Sequence, residues 1–224
     1  MSDEARPRVK VLENGPYRVS GVPLVRLHPI YNEAGDGLEW ERCEPIAADG
    51  TVDLCRCGQS KTKPFCDGSE ASVGFDGTET ADRRLTAERR RNCAEEGPMQ
   101  LTDDRSLCSH MAFCQRVPKN AWSLVREQED PETRELVISM VRKCPSGRLQ
   151  YYLMPDPAPV EEDLPEEIGV VDNGPLWVRG GVQLEAADGF EYEARNRQTL
   201  CRCGQSANKP FCDGSHWDVG FTDP

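Results

Sequence analysis

The sequence contains no long hydrophobic run, whereas a membrane-spanning helix needs about 20 consecutive apolar residues. Its first residues, Met1 to Pro7, include no apolar segment of the kind that secretory signals carry, so we expect a cytoplasmic protein. It also has no G-x-G-x-x-G motif after a strand, no G-x-x-x-x-G-K-[ST] motif and no nucleophile elbow. We therefore expect a binding protein rather than an enzyme.

Positive charge is scarce as well. The chain has 27 lysines and arginines against 39 acidic residues, a net charge of −12. This balance argues against nucleic acid and anionic membranes as partners and favours a basic protein partner. A purely solubilising role for the charge stays equally open. With 17 prolines, 19 glycines and 37% hydrophobic residues, the composition predicts several small, loop-rich modules rather than one large core.

Histidine is rare, with 3 residues, but cysteine is abundant, with 11. In the reducing cytoplasm, a disulfide framework is disfavoured and metal ligation is the better explanation of so many thiols. We interpret Cys43 and Cys93 as ordinary thiols and His28 as structural. The four tryptophans are interpreted as core or shielding residues.

Two segments of the chain repeat each other. Residues 55–69 correspond to residues 201–215 at an offset of 146, and both read C-x-C-x2-S-x3-P-x-C-D-G-S. The preceding Asn-Gly-Pro turns, at Asn14 and Asn173, are offset by 159, so the second copy lacks 13 residues between its turn and its cysteines. Short β-type runs follow each turn. Each copy is therefore predicted to be a small β module that presents a metal-binding loop.

A different unit lies between the copies, from Asp82 to Met154. Asp130-Pro131 predicts a helix start, and the helix must end near Cys144-Pro145. Its predicted apolar face and the strand that follows consist of Leu136, Val137, Met140 and Val141, and then Leu149, Tyr151 and Leu153. Residues 155–167 are interpreted as a linker, and residues 81–96, with five arginines, as a solvated connector rather than a docking site.

These features predict an α+β fold in three parts. Residues 1–80 and 155–224 form two small β-rich modules, and residues 81–154 form an inserted α/β module. We expect the β modules to pack against each other as a pseudo-dimer within one chain. The long insertion is no obstacle, because loop-closure entropy costs only about 0.6 kcal/mol per doubling of loop length.

The repeated motif resembles that of the CDGSH (mitoNEET-like) iron–sulfur family, and the resemblance covers the two flanking thirds of the chain. In that family three cysteines and a histidine hold a [2Fe–2S] cluster. The resemblance therefore implies one cluster on Cys201, Cys203, Cys212 and His216, and another on Cys55, Cys57 and Cys66. The resemblance implies that single-copy members form obligate dimers. A tandem duplicate can form the same interface within one chain, so we expect a monomer with an internal pseudo-twofold axis.

Zinc is the alternative occupant, because three cysteines and a histidine also suit a tetrahedral zinc ion. The C-x-C spacing is tighter than the C-x2–4-C of most zinc sites, which favours iron–sulfur. In the first copy Glu70 stands where the motif calls for histidine. Either its carboxylate binds the outer iron, or Asp67 and Glu70 form a capping pair at a helix start. As a ligand, Glu70 would add a negative charge and make the first cluster the harder one to reduce.

The middle unit resembles the divergent mono-cluster ferredoxins, whose pattern is a shortened C-x2-C-x2-C followed by a remote Cys-Pro. The matching residues are Cys108, Cys114 and Cys144, and Met111 occupies the slot of the missing cysteine. The resemblance implies a [3Fe–4S] cluster, or a [4Fe–4S] cluster with an unusual fourth ligand. His110 and Cys93 are the candidates for that ligand. His110 could equally cap a turn or hydrogen-bond a cluster sulfur.

Up to three cluster sites predict an electron carrier between protein partners, with a redox partner such as a flavoprotein reductase or an oxidoreductase. Three alternatives stay open at this point: a donor of clusters, an accessory subunit of an oxidoreductase, and a zinc-binding interaction scaffold.

Overall fold

The computed structural model describes residues 7–156 and 158–223. Within them, short runs of β-branched and other apolar residues form strands, separated by turns at glycine and asparagine. The strands are β1 Arg8–Val11, β2 Tyr17–Ser20, β3 Leu24–Tyr31, β4 Gly37–Ile46, β5 Thr51–Leu54, β6 Arg91–Ala94, β7 Met99–Asp103, β8 Gln115–Arg116, β9 Lys119–Asn120, β10 Leu149–Leu153, β11 Glu167–Val171, β12 Leu176–Arg179, β13 Gln183–Glu185 and β14 Arg197–Leu200. The helices are α1 Ser69–Ser72, α2 Thr86–Arg89, α3 Ala121–Leu124, α4 Pro131–Arg142 and α5 Ser215–Asp218, with 3₁₀ turns at Arg105–Leu107 and Val125–Glu127.

The two largest sheets each combine strands from both ends of the chain. One has the order β13-β1-β2-β5 and the other β14-β12-β11-β3-β4. The pairs β1–β13 and β3–β11 are parallel, whereas the other neighbours in these sheets are antiparallel. Parallel neighbours need a crossover rather than a hairpin, so distant parts of the chain must meet to form each sheet. A single hydrophobic core lies under both, and residues from both repeats contribute to it.

The 13 residues that the first copy has in addition lengthen one hairpin. Strands β3 and β4 pair over most of their length in the first copy. In the second copy, β13 has three residues and is followed by an isolated bridge between Glu185 and Glu191. The predicted α+β, β-rich fold class is confirmed at this level.

The middle unit forms a three-stranded sheet of order β10-β7-β6, against which α4 packs. Helix α4 begins as predicted, because the Asp130 carboxylate accepts a hydrogen bond from the backbone N–H of Thr133 at 3.0 Å and Pro131 occupies the first turn. The predicted apolar face is slightly wrong. Leu136 is exposed and Ile138 is buried instead, because the helix turns the adjacent positions 137, 138, 140 and 141 toward the sheet.

Two connecting segments are more ordered than predicted. In residues 81–96, the guanidinium of Arg89 pairs with Asp104 at 3.1 Å with both side chains buried, whereas Arg83, Arg84 and Arg91 are exposed, so this segment is only partly solvated. In the predicted linker, Glu161 pairs with buried Arg197 at 2.6 Å, and Glu167 already belongs to β11. The backbone N–H of Thr86 also donates to the carboxylate of Glu193 at 2.7 Å, and Arg197 donates to the carbonyl of Cys144 at 2.9 Å. Both segments therefore join the middle unit to the C-terminal β module. None of the helices in the described residues is long and apolar enough to cross a membrane.

Candidate metal centres

The N-terminal loop, residues 55–70, follows β5 and is shaped by backbone hydrogen bonds. The N–H of Cys55 donates to the carbonyl of Pro64 at 2.8 Å. The carboxylate of Asp67 accepts a backbone N–H six residues earlier, also at 2.8 Å. Gly68, at φ 83°, then turns the chain into α1 through a backbone conformation that favours glycine. These bonds account for the fixed C-D-G-S spacing in the motif.

The C-terminal loop, residues 201–216, repeats these bonds. Cys201 donates to the carbonyl of Pro210 at 2.8 Å, Asp213 accepts a backbone N–H six residues earlier at 2.8 Å, and Gly214 has φ 93°. The duplicated sequence therefore folds into duplicated loop geometry.

In the N-terminal loop the candidate ligands form two pairs. The Sγ atoms of Cys55 and Cys57 lie 3.8 Å apart, and the Sγ of Cys66 lies 3.2 Å from Oε2 of Glu70. Helix α1 begins after Gly68 with no side-chain cap, so the capping interpretation of Glu70 is wrong. Its carboxylate faces the thiol of Cys66, at the position that the motif gives to histidine.

The C-terminal loop shows the same pairing. The Sγ atoms of Cys201 and Cys203 lie 3.7 Å apart, and the Sγ of Cys212 lies 3.4 Å from Nδ1 of His216. Burial lowers the pKa of His216 to about 4, so the imidazole is neutral at pH 7 and free to act as a ligand. Its other nitrogen, Nε2, is buried without a hydrogen-bond partner in the described residues.

Burial alone disfavours the thiolate form at these sites. It raises the pKa of Cys57 and of Cys66 to about 11, and it raises the pKa of Cys212 well above the usual range. Several thiolates can share such a site only if a positive metal centre compensates their charge. The donor set therefore fits a cationic metal group.

An arginine occupies the middle of each C-x-C motif and is buried. Arg56 donates to the carbonyls of Leu12 at 3.2 Å, Gly15 at 3.5 Å and Gly77. Within the part of the chain that the structure describes, no carboxylate lies within salt-bridge distance of it. A buried guanidinium without a counter-charge is costly, so an anionic group in the adjacent loop would stabilise it.

Arg202 is bonded differently. It donates to the carbonyls of Gly174 at 3.0 Å and Val171 at 2.6 Å, and its third contact is a buried ion pair with Asp223. Gly77 occupies the position that corresponds to Asp223, and a Cβ there would lie 2.8 Å from Nη1 of Arg56. The two sites thus differ in a counter-charge as well as in their last ligand.

The two loops touch each other reciprocally. A Cβ built on Gly58 would lie 2.6 Å from the carbonyl oxygen of Cys203, and one built on Gly204 would lie 2.5 Å from that of Cys57. Both glycines have positive φ, 80° and 81°, so both their conformation and the available space exclude a side chain. The two C-x-C segments therefore approach each other through backbone alone.

The three remaining motif cysteines line a cavity of about 290 Å³ in the middle unit. A water molecule takes up roughly 30 Å³ of liquid, so this space exceeds what a single ion needs. Burial raises the pKa of Cys114 to about 12, again disfavouring a free thiolate. The cavity is lined by Cys108, Ser109, His110, Met111, Ala112, Phe113, Cys114, Gln115, Trp122, Cys144, Pro145, Ser146, Arg148 and Leu149.

The other singled-out residues are placed as follows. Cys93 does not line the cavity; its thiol faces the carbonyl of Arg91 at 3.7 Å. Cys43 lies on β4 and faces a backbone carbonyl, and His28 faces Asp172 at 3.1 Å. Trp217 is 52% exposed, so of the two predicted roles, core or shielding, the core role is wrong for this residue. Met111 is buried in a cluster with Phe113 and Trp177 as well as bordering the cavity.

Comparison with known families finds a match for each of the three segments. Residues 14–69 and 173–217 match the family described as iron-binding zinc finger, CDGSH type. Residues 94–154 match the divergent 4Fe-4S mono-cluster family. The flanking segments are of CDGSH type, and the middle segment is of divergent mono-cluster type. No curated protein matches the chain. The family resemblance seen in the motifs is confirmed, and with it the assignment to iron–sulfur binding.

Four residues that act on the flanking sites escaped the sequence analysis. Arg56 and Arg202 could have been found, because the repeat keeps arginine between the cysteines of both motifs. Asp223 carries no such signal, since its counterpart is glycine. Tyr17 carries none either: its buried hydroxyl lies 2.8 Å from the carbonyl oxygen of Cys201 and 2.9 Å from that of Pro210, in the other copy.

Proposed function

We propose that this chain is an electron carrier with two [2Fe–2S] clusters in its CDGSH-type segments and a [3Fe–4S] or [4Fe–4S] cluster in its middle segment. When bound, such clusters supply one-electron redox chemistry. The observation that carries the proposal is the close approach of the two C-x-C loops at Gly58 and Gly204, because it brings two cysteine-rich sites together within one chain.

The paired donors support [2Fe–2S] over zinc. Two thiolates on one tetrahedral metal, with metal–sulfur bonds of ~2.3 Å, are about 3.8 Å apart, and each C-x-C pair has nearly this separation. The third cysteine forms a separate pair with Glu70 or His216. Among the described residues, no three such side chains converge on one ion position. This arrangement suits two metal ions, each with two protein donors, better than one tetrahedral ion.

The mixed sheets support a monomer with an internal pseudo-twofold axis. Strands β1 and β13, and β3 and β11, pair across the copies, as exchanged strands would in a dimer of single copies. We propose that the middle segment is a ferredoxin-like module inserted between them. We also propose that Cys108, Cys114 and Cys144 hold its cluster.

The partner we propose is a redox protein with a basic docking face, such as a flavoprotein reductase, since the chain carries a net charge of −12. A second candidate function is donation of a cluster to another protein. The first site favours it, because Cys66 and Glu70 are only half-buried and a cluster held there would be accessible. Reduction by a flavoprotein reductase without loss of cluster absorption supports electron transfer. Cluster loss in step with reconstitution of an acceptor supports donation.

The test of cluster binding is iron and sulfide content together with EPR of the anaerobically purified protein. Changing Cys108, Cys114 or Cys144 to serine should remove the EPR signal of the middle cluster and leave the [2Fe–2S] absorption. Cys93→Ser is the matched control and should leave both. A colourless, zinc-loaded protein would overturn the proposal.

A further inference from the structure

Among the described residues, the middle segment lies over the C-terminal CDGSH-type loop and leaves the N-terminal one exposed at Gly68. The ring of His110 packs against Gly214, where a built Cβ would lie 2.6 Å from Cγ and 2.9 Å from Nδ1 of the histidine. The corresponding glycine of the first loop, Gly68, is exposed and would have nothing within 4 Å of its Cβ. Near Gly214, the side chain of Asn208 also donates to the carbonyl of Ser106 at 2.8 Å.

Burial of the outer ligand pair follows the same asymmetry. Cys212 and His216 are 2% and 3% exposed, whereas Cys66 and Glu70 are only half-buried. The loops share their motif up to the last ligand and the backbone hydrogen bonds that shape them. We therefore attribute this difference to what lies over them. His110 is itself exposed on its outer side, as expected for a covering residue.

The backbone of His110 is held in an unfavourable conformation. It has φ 57°, in the left-handed region that non-glycine residues seldom adopt, and Ala112 has the same value. Such conformations persist where the surroundings impose them, often at functional sites. At this position the left-handed turn brings the histidine ring onto the C-terminal loop.

We propose that His110 seals the C-terminal site, which leaves the N-terminal site as the one that external redox partners and reagents reach. In this role His110 is a positioning residue of the C-terminal loop and not the fourth ligand of the middle site. The inference rests on the proposed cluster binding, because it concerns access to the bound groups. Access to the C-terminal site then requires a local opening of the middle segment.

The experiment measures the loss of [2Fe–2S] absorption when an iron chelator is added to the anaerobic full-length protein. Cys66→Ser and Cys212→Ser each leave one flanking site and assign the phases. We expect the C-terminal cluster to be lost at least about tenfold more slowly, which corresponds to ~1.4 kcal/mol. His110→Gly, which suits the positive φ, should remove most of this protection. Val117→Ala, on the exposed surface of the same segment, should not.

His110→Phe separates covering from ligation, because it keeps a ring over Gly214 but removes both nitrogens. Sealing predicts that the slow phase and the EPR signal of the middle cluster both survive in this variant. Loss of the middle signal in both His110 variants, with an unchanged slow phase, would make His110 a ligand and overturn the inference. Equal loss rates in Cys66→Ser and Cys212→Ser would also overturn it. An absence of any [2Fe–2S] absorption would instead refute the proposed function.

Discussion

The two CDGSH-type loops have nearly the same sequence and the same backbone hydrogen bonds but lie in different surroundings. Cys55 and Cys201 donate to equivalent proline carbonyls at the same distance. Yet Gly68 faces solvent and Gly214 lies under His110. Local sequence therefore determines the shape of each loop, while the insertion between the copies determines how each loop is exposed.

The two sites reach the same formal charge through different charged residues. The first has three thiols, Glu70 and a buried Arg56 that lacks a carboxylate partner among the described residues. The second has three thiols, neutral His216 and Arg202, whose charge is balanced by Asp223. With thiolates counted as ionised, both protein sites carry the same formal charge. Relative to the second site, Glu70 adds a negative charge to the first site, and Gly77, in the place of Asp223, removes one.

The largest effect that would test this comparison is expected at Glu70. If its carboxylate is a ligand, Glu70→Ala should lose the first cluster, because the outer metal would keep one protein donor, Cys66. Glu70→His should retain it and make the site resemble the second. Iron content and visible absorption measure both outcomes, and Asp67→Asn serves as a control for the turn. Full loading of Glu70→Ala would show that the carboxylate is not a ligand.

The next effect concerns the two buried arginines in the apo protein. Arg202→Met removes the buried partner of the Asp223 carboxylate, which then keeps Arg26, at 3.3 Å, as its cation among the described residues. The change should lower the free energy of unfolding by about 3–5 kcal/mol. Arg56→Met removes a buried charge that has no counter-charge in the apo protein, so it should cost less. Urea unfolding of both metal-free variants measures the difference. A larger loss in Arg56→Met would contradict the charge comparison.

A smaller effect is expected at Tyr17, which connects the first copy to the second loop. The corresponding residue of the second copy is Leu176, which has no hydroxyl and cannot donate an equivalent hydrogen bond to the first loop. Tyr17→Phe removes a buried hydroxyl from the carbonyls of Cys201 and Pro210 and should destabilise the protein by about 1–3 kcal/mol. Chelator-driven loss should accelerate at the C-terminal site although the change lies in the N-terminal copy. Acceleration at the N-terminal site alone would contradict this connection.

Much of this arrangement could be predicted from the sequence, because it depends on local signals. The repeated motif indicated both loops, and Asp130-Pro131 indicated where α4 begins. The cover of His110 over Gly214 could not be predicted, since it joins residues about a hundred positions apart. The exposure of Trp217 escaped for a similar reason: its residue type favours burial, but in the fold it packs edge-on against Tyr31 of β3 and leaves half of its surface exposed.

The last and smallest effect concerns the reduction potentials of the two flanking sites. The charge of Glu70 taken alone makes the first cluster the harder one to reduce. Asp223 places a negative charge beside the second cluster as well. We therefore expect the first cluster to keep the lower reduction potential, with a small difference between the two potentials. A buried unit charge at an effective dielectric near 20 contributes on the order of 1–2 kcal/mol, or ~40–80 mV for one electron. Asp223→Asn should therefore raise the second potential by roughly this amount and widen the gap, whereas Glu70→His should raise the first and close it. EPR-monitored redox titration at a single pH measures both shifts. An unchanged second potential in Asp223→Asn would mean that Arg202 and its counter-charge do not act on that cluster.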